Sequence, residues 1–252
     1  PEPARQVLDP ADCVVLVGAL PPVTYFGYPG QPSRMVDDAR LLTLCQPGED
    51  AVSVLEALAQ ALDAPVYQAS SAVLPPEPTG DLSPACIGQL LSRALPPQAI
   101  VSVEGGTCGY PFYAVSHTAA VHTTLTNTGG AIGQGLPAAM GAALACPDRK
   151  VVALLSDGST QYTVQTLWSL AHENLNVLVL IAANHQYAIL RNELRRGGAT
   201  LSPQSQTMTA LDNPCIDWVG LANAYGVSAV RVHNCQELSA ELSNWMQHRG
   251  PA

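Results

Sequence analysis

Asp157 and Asn184 stand 27 residues apart, each at the end of an apolar run. The stretch 154–190 reads LLSDGSTQYTVQTLWSLAHENLNVLVLIAANHQYAIL. One buried strand ends at Ser156, and Asp157, Gly158 and Ser159 then lead into a helix. A second strand ends at Ala183, followed by Asn184, His185 and Gln186. In a parallel sheet both strand ends open on one edge, where ligands bind. A single strand–helix–strand unit separates the two residues, so they can be neighbours on adjacent strand tips. A carboxylate and an amide are hard oxygen donors that suit Mg²⁺, with phosphate oxygens or water as its remaining ligands. Gly158 lets the backbone approach a phosphate closely. The N–H groups of Gly158 and Ser159, at a helix start, can donate to it. The segment reads as a diphosphate–Mg²⁺ cradle. Strand–Asp-Gly–helix also serves in many folds as a plain turn with an aspartate cap; the matched asparagine at the next tip is what favours the cradle.

The elements that must position these residues follow from the apolar pattern. Segments 11–19, 41–44, 99–103, 150–155, 177–183 and 227–232 are short apolar runs of the kind that form buried parallel strands. A further strand begins at 65–67. Helical spacing covers 51–62, with Glu49 and Asp50 at its start where the helix dipole favours acids. Ser83-Pro84 sets an N-cap and an N1 proline before another helix. Segments 129–145 (after a glycine turn), 160–172, 187–195, 217–224 and 236–247 complete the helices. Strands alternating with helices predict an α/β fold with doubly wound parallel sheets. Segment 21–33 is rich in Pro and Gly and is read as loop. The four prolines of 75–84 mark a linker, which places one domain at 1–82 and a second at 83–252.

Composition narrows the function classes. The 252 residues are enough to bury a substantial core, and the 12% charged fraction argues against disorder. The net charge of −9 and the absence of a basic cluster larger than Arg191/Arg195/Arg196 exclude nucleic acid as the expected partner. Seven cysteines without a CxxC argue against a zinc site and a disulfide framework, and place the chain in a reducing, cytoplasmic compartment. No apolar run is long enough to span a membrane, so no membrane partner is expected. The glycines of 129–133 lack the strand-then-GxGxxG order of a dinucleotide loop, which counts against a nicotinamide or flavin oxidoreductase.

An acidic Asp-Gly-Ser turn followed by Asn at this distance resembles the signature of thiamine-diphosphate-dependent enzymes. The resemblance runs over most of the chain and is to the acetolactate synthase large subunit-like and benzoylformate decarboxylase-like branch. It is densest in LTNTGGAIGQGLPAAMGAAL (125–144), in YAILRNEL (187–194) and in CIDWVGLANAYGV (215–227). It implies a thiamine-diphosphate-binding fold in 83–252, preceded by part of a Rossmann-like middle domain in 1–82. Asp157 and Asn184 would then coordinate Mg²⁺ by side chain and Gln186 by its carbonyl, with Gly158 and Ser159 holding the diphosphate. Gly130 would accept a hydrogen bond from the cofactor's 4′-amino group. Ile132 would be the bulky residue under the bend that brings the 4′-nitrogen to the thiazolium carbon. Tyr187 and Leu190 would sit near the thiazolium and the substrate pocket, and Thr107 would reach the cofactor. Ser156 departs from the usual glycine, and His185 from the usual Asn or Gly. His185 is expected to point away from the cofactor.

The resemblance implies a parent enzyme that acts on a 2-oxo acid by carboligation or decarboxylation, with benzoylformate-type decarboxylation as the alternative. A non-catalytic assembly module of the same fold is a further one. Relatives complete the site with a pyrimidine-binding domain that supplies an activating glutamate, usually from a second subunit. Nothing in this chain matches that domain. Both chain ends read as interior pieces of a longer polypeptide, so the 252 residues alone are expected to be inactive and the parent to be a homodimer or homotetramer. No diphosphate loop in 1–82 supports FAD.

Overall fold

A computed structural model of the chain describes residues 2–27, 30–68 and 72–252. Residues 28 and 29 of the expected 21–33 loop lie outside the described residues, as does Pro1. Two compact units divide the chain, 1–70 and 71–252.

In the first unit, α1 (Glu2–Leu8) precedes β1 (Val14–Val17), β2 (Leu41–Cys45) and α2 (Ala51–Ala61). β1 and β2 pair in parallel, with Val14 opposite Leu41. Asp50 caps α2, its carboxylate accepting from Val52 N and Ser53 N at 3.1 Å each. The strand expected to begin at Pro65 does not form. Val66 and Tyr67 are exposed and belong to no strand.

The second unit holds α3 (Pro84–Ala94), β3 (Ile100–Val103), α4 (Gly106–Val115), β4 (Thr123–Thr126), α5 (Gly135–Ala145), β5 (Val151–Ser156) and α6 (Asp157–Thr160). After these come α7 (Thr166–His172), β6 (Val177–Ala182), α8 (Ala188–Arg196), α9 (Pro203–Met208), α10 (Trp218–Ala224) and α11 (Cys235–Gln247). The sheet runs β4-β3-β5-β6 with every pair parallel. Successive side chains of β5 feed opposite cores. Val152 and Leu154 pack with Leu90, Leu91, Phe112 and Trp245 on one face. Val151, Ala153 and Leu155 pack with Leu136, Ala139, Leu167 and Leu170 on the other. Each such fully buried aliphatic contributes about 1.5–3 kcal/mol, enough to fix the register of the central strand. The fold is therefore α/β and doubly wound.

Where the structure differs from the sequence expectation, local chemistry explains it. The helix expected over 160–172 is split by a turn at 161–165. Ser159 Oγ and Thr160 Oγ1 both donate to the Ser156 carbonyl, at 3.0 and 2.7 Å, which competes with continuation of the helix ladder. Residues 227–232 form no strand. The edge of β6 is instead engaged by Ala252, which accepts from Val179 N at 2.7 Å and donates to Val177 O at 3.1 Å. The division of the units lies ahead of the proline-rich stretch because that stretch is fastened to the second unit. Arg93 donates to Pro75 O at 2.7 Å, Ser239 to Glu77 at 2.7 Å and Cys235 N to Gly80 O at 2.9 Å.

Candidate functional site

The strand order places a topological switch point between β3 and β5. The chain leaves β3 for β4 on one side and then returns past β3 to β5 on the other. Crossovers leaving in opposite directions open a crevice at the C-terminal strand ends, the usual ligand position in such sheets. Four segments meet there: Glu104 after β3, the loop 127–134 after β4, Asp157 after β5 and Asn184 after β6.

Asp157 is only 2% exposed. Its Oδ1 accepts from its neighbour Gly158 N at 2.9 Å, and its Oδ2 accepts from His185 N at 2.7 Å. The second bond ties the β5 tip to the β6 tip and sets Asn184 beside Asp157. Asn184 Oδ1 accepts from Gln186 N at 3.1 Å, which turns the 184–186 backbone around it. Among the described residues no cation pairs with Asp157. A buried carboxylate without a counter-charge is costly unless a metal or dense hydrogen bonding compensates it. Each carboxylate oxygen keeps a free lone pair after its one backbone donor. Among the described residues no group of three or more His, Cys, Asp or Glu side chains could hold a metal. The donors here are one carboxylate, one amide oxygen and nearby carbonyls, a hard-oxygen set that fits Mg²⁺ with phosphate as co-ligand.

The space left by the missing side chain of Gly158 is taken by a tyrosine rather than left open to a phosphate, and the Gly158 N–H expected to donate to that phosphate already donates to Asp157 Oδ1. A Cβ on Gly158 would stand 2.7 Å from Tyr187 Cε1, so the tyrosine ring lies directly over this glycine. Ser159 turns inward, accepting from Ser156 N at 3.3 Å. The Gln186 carbonyl accepts from Ala188 N at 2.9 Å, which leaves a second lone pair. The Gln186 side chain accepts from Arg191, which also donates to Thr209 Oγ1 at 2.8 Å. Segment 209–211 thereby runs beside 185–187, with Tyr187 N donating to Thr209 O at 2.9 Å and Leu211 N to His185 O at 2.8 Å. Leu190 is 50% exposed on the first turn of α8.

On the other side of the crevice, Gly129 and Gly130 have φ of +63° and +70°, a region open to glycine but costly to residues with a Cβ. The Gly130 carbonyl accepts no hydrogen bond among the described residues, and Ile132 beside it is 58% exposed. An unpartnered carbonyl next to an exposed aliphatic is a suitable seat for a flat, hydrogen-bonding ring.

Two departures noted in the sequence have structural reasons. Ser156 is in extended conformation and needs no glycine. His185 has φ +54°, left-handed backbone that Gly and Asn adopt readily and His tolerates. Its Nδ1 lies 3.7 Å from Cys215 Sγ. A cleft of ≈490 Å³ runs beside β6, with Thr107, Asn184 and His185 on its wall. Asp157, Gly130 and Ile132 do not line it, so the strand tips, rather than this cleft, define the site. Cys108 underlies the β3–β5 crevice, and burial pushes its thiol up to about 11, so it is a neutral thiol at pH 7.

Sequence reasoning missed Glu104. Its carboxylate accepts from both Gly133 N and Gly135 N. The signal was present as an acid directly after the apolar strand AIVSV and before Gly105-Gly106.

The fold is a doubly wound α/β domain with oxygen donors at the switch point of its sheet. The chain belongs to the thiamine pyrophosphate enzyme family, since residues 105–252 match the model described as "Thiamine pyrophosphate enzyme, C-terminal TPP binding domain". (Thiamine pyrophosphate and thiamine diphosphate are one compound.) The chain is 43% identical, over 99% of its length and 49% of the relative's, to the Mycobacterium tuberculosis protein named "Putative acetolactate synthase large subunit IlvX". It is 28% identical to benzoylformate decarboxylase of Pseudomonas aeruginosa, over 95% of this chain and 47% of that one. Among solved structures, the thiamine diphosphate-dependent 4-hydroxybenzoylformate decarboxylase of Rhodococcus jostii RHA1 superposes with a TM-score of 0.75 at 26% identity. That match covers 98% of this chain and 49% of that one. The chain thus spans about half the length of the relatives it matches. Among the described residues no helix is long and apolar enough to cross a membrane.

Proposed function

We propose that this chain is the diphosphate- and metal-holding part of a thiamine-diphosphate-dependent enzyme acting on a 2-oxo acid, of the acetolactate synthase-like kind. The observation that carries the reading is the bond from His185 N to Asp157 Oδ2, which joins a buried, cation-free carboxylate to the Asn184 strand tip. Asp157 and Asn184 hold Mg²⁺ by side chain and Gln186 by its carbonyl. Gly158 and Ser159 hold the diphosphate, and Thr107 reaches the same region. Gly130 orients the aminopyrimidine through its carbonyl, and Ile132 supports the cofactor's bend. Tyr187 and Leu190 border the reacting end and keep water from it. When bound, thiamine diphosphate supplies the electron sink that lets a 2-oxo acid release CO₂.

The carboxylate that activates the aminopyrimidine comes from a domain outside these residues, so the working assembly is a cytoplasmic homodimer or homotetramer. The 252 residues alone turn over neither pyruvate nor benzoylformate. The 43% identity to the acetolactate synthase-like protein supports carboligation. Benzoylformate-type decarboxylation is the second reading, supported by the TM-score of 0.75 with a decarboxylase. A non-catalytic assembly module has less support, because both Asp157 and Asn184 are present. Calorimetric titration with thiamine diphosphate, with and without Mg²⁺, tests the cofactor reading beside Asp157→Ala. Mg²⁺-dependent binding lost in the variant supports it; a full-length protein that binds no cofactor sinks it. Product analysis with pyruvate and with benzoylformate then separates the two reactions.

A further inference from the structure

We propose that Glu104 is a positioning residue for the aminopyrimidine side of the cofactor site, acting through the loop that carries Gly130 and Ile132. The proposal rests on the thiamine diphosphate reading above. Glu104 follows β3 at the switch point and extends the pairing with β5, its N–H donating to Leu154 O at 3.0 Å. Its Oε1 accepts from Gly133 N and its Oε2 from Gly135 N. The carbonyls of the same two glycines are held as well. Thr163 Oγ1 donates to Gly133 O at 2.9 Å, and the buried Ser102 Oγ donates to Gly135 O at 2.8 Å. Between these anchors, Gln134 Oε1 accepts from Thr128 N at 3.1 Å and closes the loop across its neck. These anchors bracket 129–132, where the Gly130 carbonyl accepts no hydrogen bond among the described residues and Ile132 is exposed.

The residue types at this clamp are specific to it. A carboxylate is acceptor-only and offers an oxygen to each N–H, whereas a glutamine would set its own NH₂ against one of them. Among the described residues no Lys or Arg pairs with Glu104. Its charge faces two amides at the start of α5, where the helix dipole favours an anion. A Cβ on Gly135 would lie 2.6 Å from Glu104 Oε2 and 2.7 Å from Leu155 Cδ2, so only glycine lets the carboxylate close on both amides.

The test uses the full-length protein and two probes in Mg²⁺: thiamine diphosphate, and inorganic pyrophosphate, which would occupy only the Asp157/Asn184 half. Glu104→Gln is expected to weaken thiamine diphosphate about tenfold or more, the scale of one charge-assisted hydrogen bond, while pyrophosphate affinity stays within about twofold. Hydrogen exchange is expected to quicken in 128–135 and not in 151–156. If Glu104→Gln fails to fold, Glu104→Asp decides, since it keeps the charge and both oxygens but retracts them by one methylene. It is expected to show the same split. Equal loss of both probes would reduce Glu104 to a fold residue and overturn the proposal, as would unchanged cofactor affinity or unchanged exchange in 128–135. A wild-type protein that binds neither probe would overturn the cofactor reading, and this inference with it.

Discussion

Replacing Asp157 by Asn separates a metal ligand from a structural carboxylate. In the free protein two terms oppose each other. The substitution removes a charge buried to 2% exposure, which is favourable. It also exchanges one of two accepting oxygens for an NH₂ that faces a backbone donor, at a cost of about 1–3 kcal/mol. The free Asp157→Asn protein is therefore expected within about 1–2 kcal/mol of wild type, since the two effects are of similar size. The bound state differs. Ligand at a hundredfold excess over Kd stabilises a protein by about 2.7 kcal/mol, and each kcal/mol moves the melting temperature of a unit this size by about 2–4 °C. Wild type should gain roughly 5–11 °C with thiamine diphosphate and Mg²⁺ together, and Asp157→Asn should gain nothing. Thermal unfolding followed by circular dichroism, with each ligand alone and both combined, reads this directly. A variant that keeps more than half of the wild-type shift would refute the ligand assignment. A free variant weakened as much as a core truncation would show that the carboxylate serves the fold instead.

Other outcomes follow from the same geometry. Leu154→Ala, at a fully buried position of β5, should cost about 2–5 kcal/mol in denaturant titration. Ile132→Ala removes a side chain 58% exposed and should leave free-protein stability within about 0.5 kcal/mol, while turnover by the full-length enzyme falls. Equal turnover would remove Ile132 from the site. Burial raises the Cys108 thiol from 9.0 to about 11, so its stabilising contribution is present below pH 9 and fades as pH rises towards 11. Denaturant titrations at stepped pH should show stability falling over that window, with a shallower fall in Cys108→Ala. At pH 8, iodoacetamide should label the exposed Cys13 and Cys215 well before Cys108.

The central architecture was legible because β5 and β6 are apolar runs, and the residues after them carry the chemistry. Asp157 and Asn184 could be paired from spacing alone, because one strand–helix–strand unit fixes their relation. Elements that owe their form to packing were not legible. β4 (TTLT) has three threonines among its four residues and gives no apolar run, yet it pairs residue for residue with β3. α4 holds Gly106, Gly109 and Pro111, poor helix formers by intrinsic preference. It is held by α3 at a contact so close that a Cβ on Gly88 would meet Phe112 N at 2.8 Å. The run 227–232 has strand composition but pairs with no strand among the described residues, which composition cannot reveal. Glu104 escaped notice because its partners are backbone amides about thirty residues away, and amides leave no mark in a sequence.

The two-faced burial of β5 has a consequence for how folding quality can be read. Its alternating side chains serve two separate cores, and Asp157 follows its last residue directly. A slip of one position would send every β5 side chain to the wrong core. The same slip would carry the carboxylate about 3.3 Å along the sheet and turn it to the opposite side. On the proposed cofactor reading, ligand affinity at this tip works as a checksum on the strand: a population that bound Mg²⁺ and diphosphate with a single native affinity would have β5 in its proper frame.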